Sequence, residues 1–405
     1  MMTINKEKLI YLLIILNPIF EIVYSTLYRL DVNLPLNQIF RFLMLFCFVF
    51  LTKNIKTKKI VIIFAITYFS IWLTQLSVGY SRISFSEISF VFKIIYSTCL
   101  IFIFTDYIRN NIVNTNTLIR ITIYSVFIII FSISVSLLGL GYEAWTATDY
   151  RTGYVGWFLF GNHLTIVLLM VFCLLIYIDK IRGRNIWIAL TTIAIVLLGN
   201  KAGLVGLIAY FTILGFIYFF GSRPTKKKIL FLLIIGICVL LVMPNIINYL
   251  SNFISNQVKL YNDYGYTNIL SFLLSNRDLQ ILYVKNDLNA NTDRYLGSLV
   301  GYGYERTVNV LRPYGFNAIE MDLYALRYYL GYIPVCIWLG IYLKVMLCAV
   351  KGFFKSRDLK STAILLGTSV AIMHSIFTGH IVFESLSIVY FAILGALCMT
   401  IIDEN

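Results

Sequence analysis

The chain has 405 residues, of which 60% are hydrophobic and 13% are charged, and its formal net charge is +14. Together with a mean hydropathy of +0.83, this composition excludes a soluble globular protein, because so much apolar surface needs lipid as its solvent. Apolar runs of about twenty residues recur, each long enough to cross a ~30 Å hydrocarbon core as a helix. Since the backbone in lipid must satisfy its own hydrogen bonds, we predict an all-α polytopic integral membrane protein.

The apolar runs predict about twelve transmembrane helices and one large polar loop. In chain order, the predicted spans lie near 9–28, 36–52, 60–77, 89–107, 120–140, 155–178, 186–200, 203–220, 229–247, 322–349, 361–379 and 382–401. The chain is therefore divided into residues 1–247 with helices 1–9, a loop at 248–321, and residues 322–405 with helices 10–12. The first span is too long, and too polar at Glu21, for a cleaved signal peptide.

The distribution of Lys and Arg predicts the orientation of these spans. Most basic residues lie in alternate connections on one side, whereas the short connections on the other side hold only Arg29, Arg82, Arg151 and Lys201. This bias predicts a protein of the cytoplasmic (inner) membrane, with both termini in the cytoplasm and the large loop outside the cell. Much of the net positive charge thus reflects topology, and no nucleic-acid partner is expected.

Basic residues on the outer half need a separate explanation, because the topology signal disfavours them. Three fall inside predicted spans (Arg41, Lys93 and Arg327), where an unpaired charge costs about 3 kcal/mol or more. The others lie in outer connections or the loop: Arg82, Arg151, Lys201, Arg277, Arg294, Arg306 and Arg312. One interpretation is that they snorkel or form internal salt bridges. The other is an anionic ligand at the outer face, where the planar fork of Arg suits phosphate.

Four short motifs lie on the outer side. They are Arg151-Thr152-Gly153 leading into Gly161-Asn162-His163, Asn200-Lys201-Ala202-Gly203, Asn276-Arg277-Asp278 and Gly301-Tyr302-Gly303. Taken singly, each is typical of ordinary turns, since Gly and Asn are common in any loop.

In this order, however, the motifs resemble those of the O-antigen polymerase and ligase family of bacterial surface-polysaccharide enzymes. The first is similar to the family's Arg-x-x-Gly…Pro-Asn-x-Leu-Ala region, with Gly161 in place of Pro. The second is similar to its Ser-x-Ser-Arg-x-Gly turn, with Lys201 for Arg. Arg277 corresponds to the Arg of a Gly-Arg-x-x-x-Trp motif whose Trp is absent here, and Gly301-Tyr302-Gly303 to a Gly-x-Gly.

One further position separates the two branches of that family. The ligases carry a His-Asn pair whose His precedes a Gly by eleven residues, and here Glu320 stands eleven residues before Gly331. A carboxylate therefore replaces the imidazole, which favours a polymerase over a ligase.

The resemblance implies transfer of a glycan from a polyprenyl (undecaprenyl) diphosphate carrier to an acceptor hydroxyl at the outer face. It implies inversion at the anomeric carbon and no metal or other cofactor. Such a reaction needs cations that hold the diphosphate and a base that activates the acceptor. The residues expected to hold the diphosphate are Arg151, Lys201, Arg277 and Arg327.

Glu320 is the predicted base. On a helix starting near Ala318, Glu320 and Arg327 would share one face, with the cation deeper in the membrane. As a base it needs a pKa near the working pH, which partial burial of the carboxyl can provide. The alternative is that Glu320 and Asp322 merely place negative charge at the N-terminal end of a helix, where the dipole favours anions.

His380 is a further candidate for a substrate contact, and it would share a helical face with Glu384 at i,i+4 spacing. A structural role is the alternative. The three His residues show no metal-ligand spacing, so we predict no metal site.

The sequence thus predicts a metal-independent, inverting polysaccharide polymerase that moves a growing glycan onto a carrier-linked repeat unit. A ligase of the same fold that passes glycan to a different acceptor is the alternative. A flippase for lipid-linked oligosaccharide, or another transporter, is the alternative from another class. Membrane lipid and the carrier-linked oligosaccharide are the expected partners, with a chain-length regulator and a flippase as candidates.

Overall fold

The structure is a computed structural model that describes residues 6–32, 34–144, 153–179, 181–220, 274–291 and 294–401. The first helices are α1 (Lys6–Arg29), α2 (Leu36–Leu51), α3 (Ile55–Ser77), α4 (Phe85–Arg109), α5 (Thr115–Ser136), α6 (Asn162–Tyr177), α7 (Arg184–Leu197) and α8 (Lys201–Phe220). They are followed by α9 (Arg277–Asn291), α10 (Arg294–Val300), α11 (Tyr304–Leu311), α12 (Asp322–Leu330), α13 (Tyr332–Ser356), α14 (Leu359–Phe377) and α15 (Ser385–Ile401).

Strands are minor: β1 (Tyr142–Glu143) pairs antiparallel with β2 (Tyr154–Gly156) before α6. The predicted span at 155–178 is therefore helical only from Asn162.

Six helices in the described part of the chain, α1, α3, α4, α5, α13 and α14, are long and apolar enough to cross a membrane. Five others are apolar but shorter over the stretches described in full: α2, α6, α7, α8 (Lys201–Gly215) and α15. The prediction of an all-α polytopic membrane protein is confirmed, whereas the number of twelve spans stays a prediction. The predicted span at 229–247 and the loop before residue 274 lie outside the described residues.

The centre of the bundle is formed by α15, which packs against both α4 and α6. Residues 163–175 of α6 and 385–400 of α15 are buried all round. A helix that is apolar on every side is stable only when surrounded by other helices or lipid. Peripheral helices such as α2 instead expose large side chains, including Phe46 and Phe50, on the outside of the bundle. We conclude that α4, α6 and α15 are the scaffold to which the polar connections are attached.

The predicted single span at 322–349 is wrong, because the structure breaks it at Gly331. There α12 ends and α13 begins, and the Gly331 φ of +86° lies in the left-handed region that favours glycine. A Cβ atom on Gly331 would stand 2.1 Å from the carbonyl oxygen of Leu299. The break therefore exists where the polar loop lies directly against the helix backbone.

The Gly301-Tyr302-Gly303 motif forms the part of the polar loop that makes this contact. A Cβ atom on Gly301 would stand 2.4 Å from the backbone nitrogen of Leu330. The amide of Tyr302 donates to the carbonyl of Tyr328 at 2.8 Å. Carbonyls at the end of a helix lack partners within it, so the motif supplies one and attaches the loop to the end of α12.

The polar loop is also anchored to the start of α4. Glu87 accepts hydrogen bonds from the backbone amides of Tyr304 (3.3 Å) and Glu305 (2.8 Å) at the start of α11. Glu305 in turn accepts hydrogen bonds from Arg82 and from the Ser84 hydroxyl. We call this end of the bundle, where α2, α4, α6, α12 and α15 begin, the outer end, because the basic residues predict that it faces outwards.

We expect Gly331→Ala to lower stability by about 1–3 kcal/mol, because a side chain there meets both a left-handed φ and a backbone oxygen. Thermal unfolding of the purified protein in detergent measures this loss. The control is Gly340→Ala on α13, where a Cβ atom would meet nothing within 4 Å. Equal melting temperatures for Gly331→Ala and the wild type would mean that the backbone contact is not tight.

Candidate functional site

A buried carboxylate, Asp322, organises the connection between α14 and α15. Its side chain is fully buried at the first residue of α12. It accepts hydrogen bonds from the backbone amides of His380 (3.1 Å), Ile381 (3.0 Å) and Val382 (3.1 Å), and from the Ser375 hydroxyl (2.5 Å). Three consecutive amides bound to one carboxylate fix the path of the backbone through residues 380–382.

This connection places His380 beside Glu320. The φ of Gly379 is +82°, and a Cβ atom there would lie 1.5 Å from the carbonyl oxygen of Glu320. His380 also has a positive φ, +70°, and its Nε2 lies 3.5 Å from Oε2 of Glu320. Since α15 begins only at Ser385, the expected helical face shared by His380 and Glu384 is wrong.

Glu320 is held in place by the first turn of α9. Its Oε2 accepts a hydrogen bond from Nε of Arg277 at 2.8 Å and lies 2.5 Å from the terminal Nη2. The Glu320 amide donates to the side-chain oxygen of Gln280, one turn further along α9. Arg277 is only 8% exposed and also donates to the carbonyl of Leu274. The structure thus joins two of the predicted site residues in a forked ion pair.

Arg327 lies elsewhere. The expected helix from Ala318 is wrong, because the residue before α12, Met321, has an extended ψ of 114° and Glu320 precedes the helix. The guanidinium of Arg327 lies 5.3 Å and 4.9 Å from the ring centroids of Tyr328 and Tyr332. A shared helical face with Glu320 is therefore excluded.

The pKa of Glu320 differs from the expectation. Burial raises the pKa of this carboxyl, but the hydrogen bond with His380 and the charge of Arg277 lower it more, to about 2. The expectation of a pKa near the working pH is wrong for this structure. While the ion pair persists, Glu320 is an ionised but weak base.

Asn162 adds a fourth element to the group. It is the first residue of α6, and its Nδ2 lies 3.4 Å from Nε2 of His380. The group of Asn162, Arg277, Glu320 and His380 therefore combines α6, α9, the segment before α12 and the α14–α15 connection. We call it the outer cluster.

The Lys201 turn packs on the same helix. The side-chain amide of Asn200 donates to the Thr165 hydroxyl on α6 at 2.7 Å. A Cβ atom on Gly203 would lie 2.9 Å from side chains of Thr165 and Ile195, so this turn is tightly packed. Lys201 begins α8 at the outer end. Arg151 lies outside the described residues.

A second set of charges lies next to the outer cluster. Glu384 forms ion pairs with Arg41 on α2 (3.8 Å) and Lys93 on α4 (3.9 Å). It also interacts electrostatically with His380. Arg41 and Lys93, the two cations predicted to lie inside the membrane, therefore share the carboxylate of Glu384.

The outer cluster has the chemistry of an anion site with an attached base. Its guanidinium, imidazole and amide groups can bind phosphate oxygens, and its carboxylate can accept a proton. Within the described ranges, no group of three or more His, Cys, Asp or Glu residues is arranged to hold a metal ion.

The stability of the ion pair should depend on pH. Because the folded-state pKa of Glu320 lies below the ordinary 4.5, its contribution is present above that value and is lost as the pH falls towards about 2. We expect Glu320→Gln to be less stable than the wild type near neutral pH, with a difference that narrows as the solution is acidified. Thermal unfolding in detergent over an acidic pH series measures this difference.

Asp287→Asn, on the exposed side of α9, is the control and should unfold like the wild type throughout. A difference between Glu320→Gln and the wild type that stays constant down to low pH would contradict the ion pair.

Comparison with known protein families identifies the family of the chain. The model of a family described as O-antigen ligase like membrane protein matches residues 5–264, more than half of the chain. No curated protein matches. The matched region includes α1–α8 and ends before Arg277, so the roles of Arg277, Glu320 and His380 depend on their geometry.

Proposed function

The chain belongs to the O-antigen ligase like membrane protein family, and from this we propose that it is a polysaccharide polymerase. It would transfer a growing glycan from a polyprenyl diphosphate carrier onto a carrier-linked repeat unit at the outer face of the cytoplasmic membrane. The observation that carries the proposal is the outer cluster. A forked Arg277–Glu320 pair, an imidazole and an amide converge at the end of the bundle predicted to face outwards.

The reaction needs a stabilised leaving group. The acceptor hydroxyl oxygen forms a bond to the anomeric carbon, the bond from that carbon to the diphosphate oxygen breaks, and the diphosphate leaves with the electron pair. Arg277 is suited to the developing charge because its planar fork can donate two parallel hydrogen bonds to phosphate oxygens. Its side chain is already buried and oriented, which reduces the cost of reorganisation.

The acceptor proton needs a base, and Glu320 is the proposed one. In the resting structure Glu320 occupies the fork of Arg277. A diphosphate that binds Arg277 would displace the carboxylate and remove a cause of its lowered pKa, while burial, which raises the pKa, would remain. Substrate binding would therefore convert Glu320 from an ion-pair partner into a competent base. His380, at 3.5 Å, would position it.

A polar groove at the outer end is a candidate surface for the glycan. Its volume is about 560 Å³, and it is lined by Tyr80, Arg82, Glu305, Arg306 and Tyr314 among others. Aromatic faces with charged neighbours suit sugar rings, which present both apolar faces and hydroxyl groups. The lining of this groove therefore supports a glycan substrate.

A ligase is the second candidate, and one observation favours it. The resemblance places a His in ligases where this chain has Glu320, and His380 brings an imidazole to that carboxylate from another element. The two activities differ in the acceptor, so the product distinguishes them.

The proposal predicts that purified protein in nanodiscs converts a lipid-linked repeat unit, supplied as both donor and acceptor, into a ladder of longer products. We expect Glu320→Gln and Arg277→Ala to reduce the rate by about 10²–10⁴-fold, because they remove the base and a cation at the leaving group. The measurement is product length by gel or mass spectrometry.

Glu143→Gln on β1 and Lys285→Ala on α9, both exposed and outside the lining of the polar groove, are matched controls that should elongate normally. Gel filtration and thermal unfolding establish that each variant is folded. Elongation at the wild-type rate by Glu320→Gln would remove Glu320 as the base, and transfer only to a different acceptor would indicate a ligase.

The pH profile separates the roles of Glu320 and His380. Since the hydrogen bond from His380 lowers the pKa of Glu320, His380→Gln should raise that pKa. We expect residual activity in His380→Gln whose loss on acidification begins at higher pH than in the wild type. The measurement is kcat/KM as a function of pH. An unshifted profile with activity almost abolished would instead make His380 the base.

A further inference from the structure

A groove between α2 and α4 opens on the outside of the bundle near the outer end. Its volume is about 230 Å³. The apolar lining consists of Ile39, Phe42, Leu45, Phe85, Ile88 and Phe92. Ile39, Phe42 and Phe85 are each more than half exposed, so in a membrane the mouth of the groove would face lipid.

Two cations, Arg41 and Lys93, line this mostly apolar groove. Arg41 is the sixth residue of α2 and Lys93 the ninth of α4. At 1.5 Å per residue, they lie about 8 Å and about 12 Å along their helices from the outer end. Placing an unpaired charge at this depth in the membrane costs free energy. The presence of two cations in the wall of this groove therefore requires an explanation.

Internal pairing holds these two cations only at long range. Arg41 and Lys93 share the Glu384 carboxylate, at separations of 3.8 and 3.9 Å that are too long for hydrogen bonds. Arg41 is 6% exposed, and its Nε has no hydrogen-bond partner among the described residues. Glu21 is nearby, but its carboxylate accepts hydrogen bonds from Asn37 and Ser385. Arg41 therefore keeps one unpaired donor, Nε, for an anion that reaches the buried end of the groove.

We propose that this groove binds the headgroup-proximal part of a polyprenyl phosphate lipid, with phosphate oxygens at Arg41 and Lys93 and the isoprenoid chain against the phenylalanines. The proposal deepens the proposed function and rests on it, since the lipid is the carrier. A single anionic headgroup with one long apolar chain matches two cations at the end of a narrow apolar groove. The volume is smaller than the ~300 Å³ or more of sites that enclose a drug-sized ligand, so only the start of the chain would be enclosed.

The rest of the chain has a surface to follow. Beyond the groove, Phe46 and Phe50 continue along the exposed face of α2 at i,i+4 spacing and are 66% and 73% exposed. Glu384 connects the groove to the outer cluster, because it pairs with Arg41 and Lys93 and interacts with His380. A phosphate in the groove would therefore lie on the side of the outer cluster that faces lipid.

Binding can be tested without glycan transfer. Full-length protein in phosphatidylcholine nanodiscs is titrated with polyprenyl monophosphate or with polyprenol of the same length, and retained lipid is measured by native mass spectrometry. We expect the wild type to retain the phosphate over the alcohol, and Arg41→Gln and Lys93→Gln to weaken retention of the phosphate about tenfold or more. Ser89→Phe, which fills the groove without removing a charge, should weaken retention of both lipids.

Lys344→Gln is the matched control, since Lys344 lies within α13 over the Phe102 ring, away from the groove. It should bind like the wild type. Phosphatidic acid, an anionic lipid with two acyl chains, is the competitor and should displace polyprenyl phosphate poorly. Equal retention by the wild type and the three groove variants, no preference for phosphate over alcohol, or full displacement by phosphatidic acid would each overturn the proposal.

The elongation assay separates this proposal from the proposed function. Groove variants that lose binding but elongate normally would overturn the groove as a carrier site and leave the polymerase intact. A wild type that binds the lipid in the groove and yet elongates and transfers nothing would overturn the polymerase proposal, and the groove would then be a lipid site without that reaction.

Discussion

The structure of the outer end depends on the hydrogen bonds that one buried carboxylate, Asp322, must receive. A charge removed from water must be matched by hydrogen bonds, because leaving it unmatched costs several kcal/mol. Here the donors are the Ser375 hydroxyl and the amides of residues 380–382. Because these amides belong to the connection between α14 and α15, binding them fixes His380 and brings Gly379 against Glu320. The outer cluster is thus positioned by a group that is not part of it.

The same principle explains how a polar loop is attached to an apolar bundle. Ending α12 at Gly331 exposes carbonyls that need donors, and the loop supplies them through Tyr302 and Gly303. The side-chain amide of Gln75 on α3 reaches the carbonyls of Val300 and Tyr329 at this point. All of these bonds except Gln75–Tyr329 cross between the loop and the bundle, so the loop carrying Arg277 is joined to the helices at several points.

The sequence predicted an integral membrane protein, because a helix in lipid must be apolar and long enough to cross the hydrocarbon core. Both requirements can be recognised within a short stretch of sequence. The family of the chain was also predictable, and the family match confirms the resemblance. The site was predicted only as a set of residues. Arg277 pairs with Glu320 across 43 positions and Asp322 with the amide of Val382 across 60, and no local pattern encodes such distances. The break at Gly331 was missed because apolar residues continue on both sides of it, and the Glu320 pKa was mispredicted because Arg277 and His380 were not placed beside it.

The pairing of cations with carboxylates at the outer end determines how the proposed substrate would bind. Arg277 holds Glu320, while Arg41 and Lys93 share Glu384. An anion that binds the fork of Arg277 must therefore exchange with Glu320, and the exchange favours a ligand with more charge and more acceptor oxygens than the group it displaces. A diphosphate meets this condition better than a single phosphodiester headgroup, which surrounding phospholipids also offer. Glu320 would become free to act as the base only when such a ligand occupies Arg277. The ion pair that weakens Glu320 as a base in the resting state would therefore also make the release of Glu320 depend on the substrate.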